Sequence, residues 1–231
     1  MSEIIVATST VEDGSMYDRN DDADPTVLAN RERFLTAHSI QVDQTTRLGV
    51  NTVERDKVLH ETDWCKYVEV TEQDSGRGMH GDKGLPCDAL VTRDPNRALA
   101  LAVADCIGTA IYDPTQSVLM VTHLGRQSLE QDGGKKSVEY LVEKYQSNPA
   151  DLKVWMTAAA GKEKYPMWAF DNRSMKDVVF EQLAAAGILL ANITDNPAET
   201  TEDLNYFSYS EWHHGRREND GDHWIVAMMT D

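Results

Sequence analysis

Apolar positions recur along this chain with two different periods, and the places where the period changes mark out its elements. Residues 4–8 read as a short first strand, and the Asp-rich stretch 12–24 as a loop. Pro25 follows, and Val27, Leu28, Phe34 and Leu35 recur at near-helical spacing, which predicts a helix over 25–37. Strands are expected at 44–53 and 67–71. The Gly-, Asp- and Gln-rich segment 72–86 reads as a long surface loop.

From residue 88 the pattern changes to dense apolar runs at 89–91, 98–104, 109–112 and 117–122, separated by Asp94-Pro95-Asn96 and Asp113-Pro114-Thr115. Proline fixes φ in such turns and Asp or Asn bonds the local backbone, so the runs are expected to be strands. After Gly133-Gly134, the residues Val138, Leu141, Val142 and Tyr145 fall on one helical face, and Asn148-Pro149 ends it. A strand is expected at 153–157, then a small-residue turn at 158–161. Ser174 with Asp177 forms a capping pattern for a helix that stops at Gly187. His213-His214 reads as part of a polar hairpin-like segment, and a last strand is expected near 224–229. Strands and helices mix without strict βαβ alternation or internal repeat, so the expectation is an α+β fold with mixed sheets in one compact domain over 1–231.

Composition narrows the classes of partner. With 39 acidic against 22 basic residues the formal net charge is −17, a field that repels a polyphosphate backbone, so no nucleic acid is expected to bind. No apolar run approaches the roughly 18 residues of a membrane span. The N-terminus lacks the basic and apolar regions of a leader. The three cysteines have no CxxC spacing, which favours a reducing compartment; a cytoplasmic location is expected.

Cys106 directly follows the apolar run 98–104 and the acidic Asp105, so a buried strand delivers a thiol at its end. A thiol of pKa about 8.5 needs a cation, a histidine or a metal to ionise at neutral pH. His123, at the end of the run 117–122, is the candidate. If the two meet, they form either a Cys/His nucleophile pair or two ligands of a metal. On spacing alone, Cys106 reads more readily as a small apolar filler, and His123 as a hydrogen-bonded turn residue.

The order Asp88-Ala89-Leu90-Val91-Thr92, Ala98-Leu99-Ala100, Ala104-Asp105-Cys106, then His123 and Gly125, resembles the central signature of the YfiH-like polyphenol oxidase (laccase-domain) family. Asn30-Arg31, the segment 155–161 and Phe207-Ser208-Tyr209 extend the likeness along nearly the whole chain. The resemblance implies a zinc (Zn2+) site of one Cys and two His, and activity on purine nucleosides: phosphorolysis of adenosine, inosine or methylthioadenosine, adenosine deamination, or polyphenol oxidation. Cys106 and His123 match two of the three ligands. The third is open between His60, which has Asp63 three residues on, Asn51, which holds the register, and His80 in the 72–86 loop. Asp105 is expected to orient His123 or a neighbouring group.

Two departures bear on activity. The family's early Ser/Thr-Arg-x-Gly-Gly segment is here Ser9-Thr10-Val11-Glu12-Asp13-Gly14, without the arginine, and the Trp-Arg pair after the histidine is replaced by Arg126-Gln127. Phosphate recognition needs a fixed guanidinium or backbone donors, and Arg126 is the candidate substrate-binding replacement. A metal-free Cys/His hydrolase and a non-catalytic ligand-binding protein stand as alternatives. A multicopper array is poorly served by one Cys and so few His. His38, His213, His214 and His223 are expected to be structural, as are Cys65 and Cys87.

Overall fold

The apolar runs assemble into two mixed sheets that face each other, with helices on both outer sides. The structure is a computed structural model that describes residues 3–19, 21–50 and 66–230, and of 51–65 the backbone of 52–55 and 58–61. The first sheet joins β1 (Ile4–Thr8), β13 (His223–Met229), β8 (Ala98–Val103), β2 (Thr45–Val50) and β6 (Leu85–Cys87), in that order. The second joins β12 (Ile193–Asp195), β11 (Lys153–Met156), β9 (Ile107–Asp113), β10 (Val118–Leu124), β7 (Ala89–Thr92) and β5 (Tyr67–Glu69). A hairpin, β3 (Thr52–Arg55) with β4 (Val58–Glu61), stands apart.

Strands buried on both faces read as unbroken apolar runs, and every residue of β9, β10 and β13 is buried. Alternation sorts their side chains into layers. Leu99, Leu101, Ala110, Tyr112, Leu119, Val121, Ile225 and Ala227 fill the space between the sheets. Ile107, Ile111, Met120 and Leu124 face outward onto helices α3 (Gly133–Tyr145) and α4 (Met175–Ala185). Ala98, Ala100, Trp224 and Val226 face the opposite way onto α1 (Pro25–Ala37). The mixed α and β content and the compact single unit match expectation.

Helix ends follow their local chemistry. The Asp24 carboxylate accepts hydrogen bonds from the Thr26 and Val27 N–H groups with Pro25 in the first turn, and Ser174 caps α4. Three local expectations change. The predicted strand 44–53 divides into β2 and the hairpin. The expected 72–86 loop ends in β6, and it is pinned to β2: the Arg47 N–H donates to the Arg77 carbonyl and the Gly76 N–H to the Thr45 carbonyl. A Cβ on Gly78, whose φ is 78°, would lie 2.8 Å from Gly84 Cα and 2.9 Å from Arg47 Cβ. Finally, His213 lies in a short helix, α5 (Tyr209–His213), where the Ser208 hydroxyl accepts from the Glu211 N–H.

Among the described residues no helix is long and apolar enough to cross a membrane.

Candidate metal and active site

Cys106 lies where the chain leaves the first sheet for the second. β8 ends at Val103, β9 starts at Ile107, and Asp105 between them adopts φ 80°, a left-handed conformation that Asp tolerates better than most residues. Three hydrogen bonds fix this crossing. The Asp105 carboxylate accepts from the Thr200 hydroxyl at 2.7 Å and from the Ser210 N–H at 2.7 Å, and its carbonyl accepts from the Ala160 N–H at 2.9 Å. Asp105 is therefore an anchor for three loops, its carboxylate oxygens serving Thr200 and Ser210.

His123 lies inside β10 rather than beyond its end, and is buried. It pairs with Gly108 on β9, and Leu124 pairs with Ile107, so the register sets Cys106 opposite Gly125. Cys106 and His123 are thus diagonal neighbours on adjacent antiparallel strands, a relation that spans about 7–8 Å between backbones and lets side chains meet. They also share a face. Cys106 packs against the inter-sheet cluster, and His123 has the parity of Leu119 and Val121, which belong to it. The two positions come onto one face through the pairing of β9 with β10 within one sheet, not between the strands ending at 104 and 122.

The backbone opposite His123 is closely fitted. A Cβ on Gly108 would lie 2.7 Å from Ile225 Cγ2. On the other side, the His123 N–H donates to the Asp88 carbonyl at 3.1 Å, and the Asp88 carboxylate accepts from the Lys66 N–H at 2.7 Å.

Of the three candidates for a third ligand, His80 is placed elsewhere. Its ring bonds Asp43 at 2.9 Å on the exposed surface. That loop joins β2 at Thr45, which pairs with Ala98, so the length of β8, about 16 Å at 3.3 Å per residue, separates it from Cys106. Asn51 lies outside the described residues. His60 pairs with Val53 in the β3–β4 hairpin, and its side chain lies outside them too. The anchors of that hairpin are described, however: Val50 pairs with Cys87 and Lys66 bonds Asp88, so segment 51–65 leaves and rejoins the fold beside His123. Among the described residues no three His, Cys, Asp or Glu side chains gather as a metal group. A zinc site built on one thiolate and one imidazole would need at least one further donor.

Arg126 opens the short helix α2 (Arg126–Glu130), and its guanidinium stacks on Tyr165 at 4.3 Å and Trp168 at 4.5 Å. Its Nε is buried without a hydrogen-bond partner. The expected free phosphate-binding guanidinium is therefore held against two rings. His38 packs edge-on to Phe34, and His213 stacks on Tyr209. Cys87 is fully buried, and burial pushes its thiol up to about 12. Cys65 lies outside the described residues.

Sequence reasoning passed over two features at this end of the molecule. His223 is completely buried, both ring nitrogens lack partners, and burial pushes its pKa down to about 4. The signal was its place in the alternation His223-x-Ile225-x-Ala227, which points it between the sheets. The second is a cavity of about 760 Å³ on the outer side of the first sheet, lined in part by Tyr17, Arg19, Asp22, Arg47, Ala102 and Asp222. There Asp22 joins both Arg31 and Arg47, and Arg19 bonds Asp222 at 2.8 Å.

Known proteins share this fold. The crystal structure of YlmD from Geobacillus stearothermophilus superposes with a TM-score of 0.79 at 18% identity, covering 99% of this chain and 92% of that one. The Bacillus licheniformis hypothetical protein YfiH gives 0.78 at 19% identity, covering 97% and 92%. The purine nucleoside phosphorylase YlmD of Bacillus subtilis is 34% identical over 89 residues, 38% of this chain and 32% of that protein. The chain spans about a third to a half of the length of the curated relatives it matches. The sequence pattern of the multi-copper polyphenol oxidoreductase laccase family matches residues 6–177, and with Cys106 and His123 inside that match the chain belongs to this family.

Proposed function

We propose that this protein is a zinc-dependent enzyme acting on purine nucleosides, with phosphorolysis as its reaction. The observation that carries the reading is the placement of Cys106 and His123 as same-face diagonal neighbours, with both anchors of segment 51–65 beside them. Relatives named purine nucleoside phosphorylase support the choice of substrate. Cys106 as thiolate and neutral His123 would hold the ion, with His60 as third ligand. Zinc bound there supplies Lewis acidity toward an oxygen of the nucleophile or the substrate.

The chain's own groups set the rest. The Asp105 anchor holds Cys106 at the end of the inter-sheet layer, partly exposed where a substrate could reach it. The adenosine deamination implied by resemblance would use the same site with water in place of phosphate. A donor set of one thiolate and few imidazoles suits zinc better than a multicopper centre.

The test is metal analysis of the purified protein alongside base release from inosine, adenosine and methylthioadenosine, with and without phosphate. About one zinc per chain, lost in Cys106→Ser and His60→Ala, with phosphate-dependent base release, is expected. Thiol-dependent turnover without metal would replace this reading with a Cys/His hydrolase, and phosphate-independent inosine formation from adenosine would make the reaction a deamination.

A further inference from the structure

Two ion-pair clusters flank the cavity on the outer side of the first sheet, and neither balances its own charge. At one end the single carboxylate of Asp22 serves two guanidiniums, Arg31 and Arg47. At the other the single guanidinium of Arg19 serves two carboxylates, Asp222 at 2.8 Å and Asp220 at 3.4 Å. One end thus carries a surplus positive charge and the other a surplus negative one. The other charged lining residues are exposed or locally bonded: Arg77 pairs with Asp82, Asp18 accepts from the Asp21 N–H, and Lys83 and Asp21 face solvent.

Each surplus charge lines the cavity from a nearly inaccessible residue, Arg47 at 4% and Asp222 at 6% exposed. The Arg47 Nε donates to the Gly78 carbonyl and its Nη2 to Asp22 and the Asp82 carbonyl, while Nη1 has no hydrogen-bond partner among the described residues. One Asp222 oxygen accepts from Arg19, and the other from no side chain among them. Tyr17 stands between the two ends. Its ring lies 5.4 Å from the Arg47 guanidinium and 5.9 Å from that of Arg19, and its hydroxyl also lacks a partner among the described residues. Burial raises its phenol, and the charges of Asp22, Arg47, Asp222 and Arg19 all act on it, so both clusters face one group. Burial also lifts the Asp222 carboxyl in spite of Arg19 and lowers the Arg47 guanidinium in spite of Asp22. A counter-charge brought in at each end would relieve both.

We propose that this cavity binds a free amino acid, with the ligand carboxylate on Arg47 and the Tyr17 hydroxyl and the ligand ammonium on Asp222. A guanidinium and a buried carboxylate are the partners those two groups require. A simple anion would leave Asp222 uncompensated, a simple cation would leave Arg47 so, and a neutral polyol would leave both. Val50, Pro86 and Ala102 give the ligand side chain an apolar floor, and about 760 Å³ is ample for it. This assignment stands apart from the nucleoside reading and from Cys106 and His123.

The experiment is titration calorimetry of the full chain with each common amino acid, with inosine and inorganic phosphate as controls. At least one amino acid is expected to bind, and its N-acetyl and its amide forms should each bind at least roughly 10-fold more weakly, because each loses one charge. Tyr17→Phe removes a single hydroxyl at a half-buried position and should weaken binding roughly 3- to 10-fold, and Asp222→Asn should weaken it more. The modified ligands and Tyr17→Phe decide the matter if Asp222→Asn does not fold. No binding of any amino acid up to about 10 mM overturns the proposal, as does binding that tolerates acetylation and amidation equally. Inosine or phosphate binding that Tyr17→Phe weakens, with no amino acid bound, also overturns it and gives the cavity to the nucleoside reaction.

Discussion

Two described thiols differ in what surrounds them. Cys87 is fully buried with its thiol pushed up to about 12, while Cys106 is partly exposed at the crossing between sheets. Alkylation follows thiolate content and access, so iodoacetamide at pH 7.5 should modify Cys106 and spare Cys87 in the folded protein, read by peptide mass spectrometry. Zinc should protect Cys106. A second prediction concerns His223. Two buried ring nitrogens without protein partners disfavour the folded state, and exchange for an apolar ring of similar shape removes that burden. His223→Phe is expected to raise the urea midpoint at pH 7. The pH dependence has a definite sign: the unfolded imidazole takes up its proton near 6.5 and the folded one only near 4. Unfolded chains therefore bind more protons between these values, and stability is lost as pH falls from about 6.5 to about 4. The variant should lose that part of the slope, while the part below about 4.5 persists, because the Arg216 fork and Lys164 hold the Glu211 carboxyl down to about 2.

At the scale of elements, one carboxylate ties the loop before α1 to the first sheet. Asp22 serves Arg31 and Arg47, which are 1% and 4% exposed. Asp22→Asn would leave two buried guanidiniums without their shared counter-charge, and the expected loss of stability is about 3 kcal/mol or more in urea unfolding, with secondary structure retained. That link was illegible in the sequence, where residues 12–24 read as a polar loop: nothing local says which of its acids meets arginines from α1 and β2. The helices and inner strands were legible because capping and periodicity are local, as at Asp24-Pro25 and Ser174. Cys106 and His123 were legible as residues at the ends of apolar runs, strengthened by their family spacing. Their shared face was not, since it depends on the register of β9 against β10. His223 was legible as a structural residue, but not that both its ring nitrogens would be buried without protein partners, which depends on the facing sheet.

For the whole molecule, a net charge of −17 means that folding concentrates like charge on a small surface. Self-repulsion should be relieved by screening, so the thermal midpoint is expected to rise between 10 and 150 mM NaCl, conditions chosen to span Debye lengths of about 30 and 8 Å. A midpoint that falls or stays level would show that local pairs such as Arg19 with Asp222 outweigh the global field.

The order of strands also sets a timetable. β13, from the far end of the described sequence, is wedged between β1 and β8. On a ribosome, the second sheet has all its strands by residue 195, while the first must keep a gap beside β8 until residues 223–229 emerge. A nascent chain stalled before that point would carry a protease-resistant half and an open seam, with Leu101 and Val103 uncovered. Insertion of the final strand thus closes the sandwich and the wall beside Cys106 in a single late event.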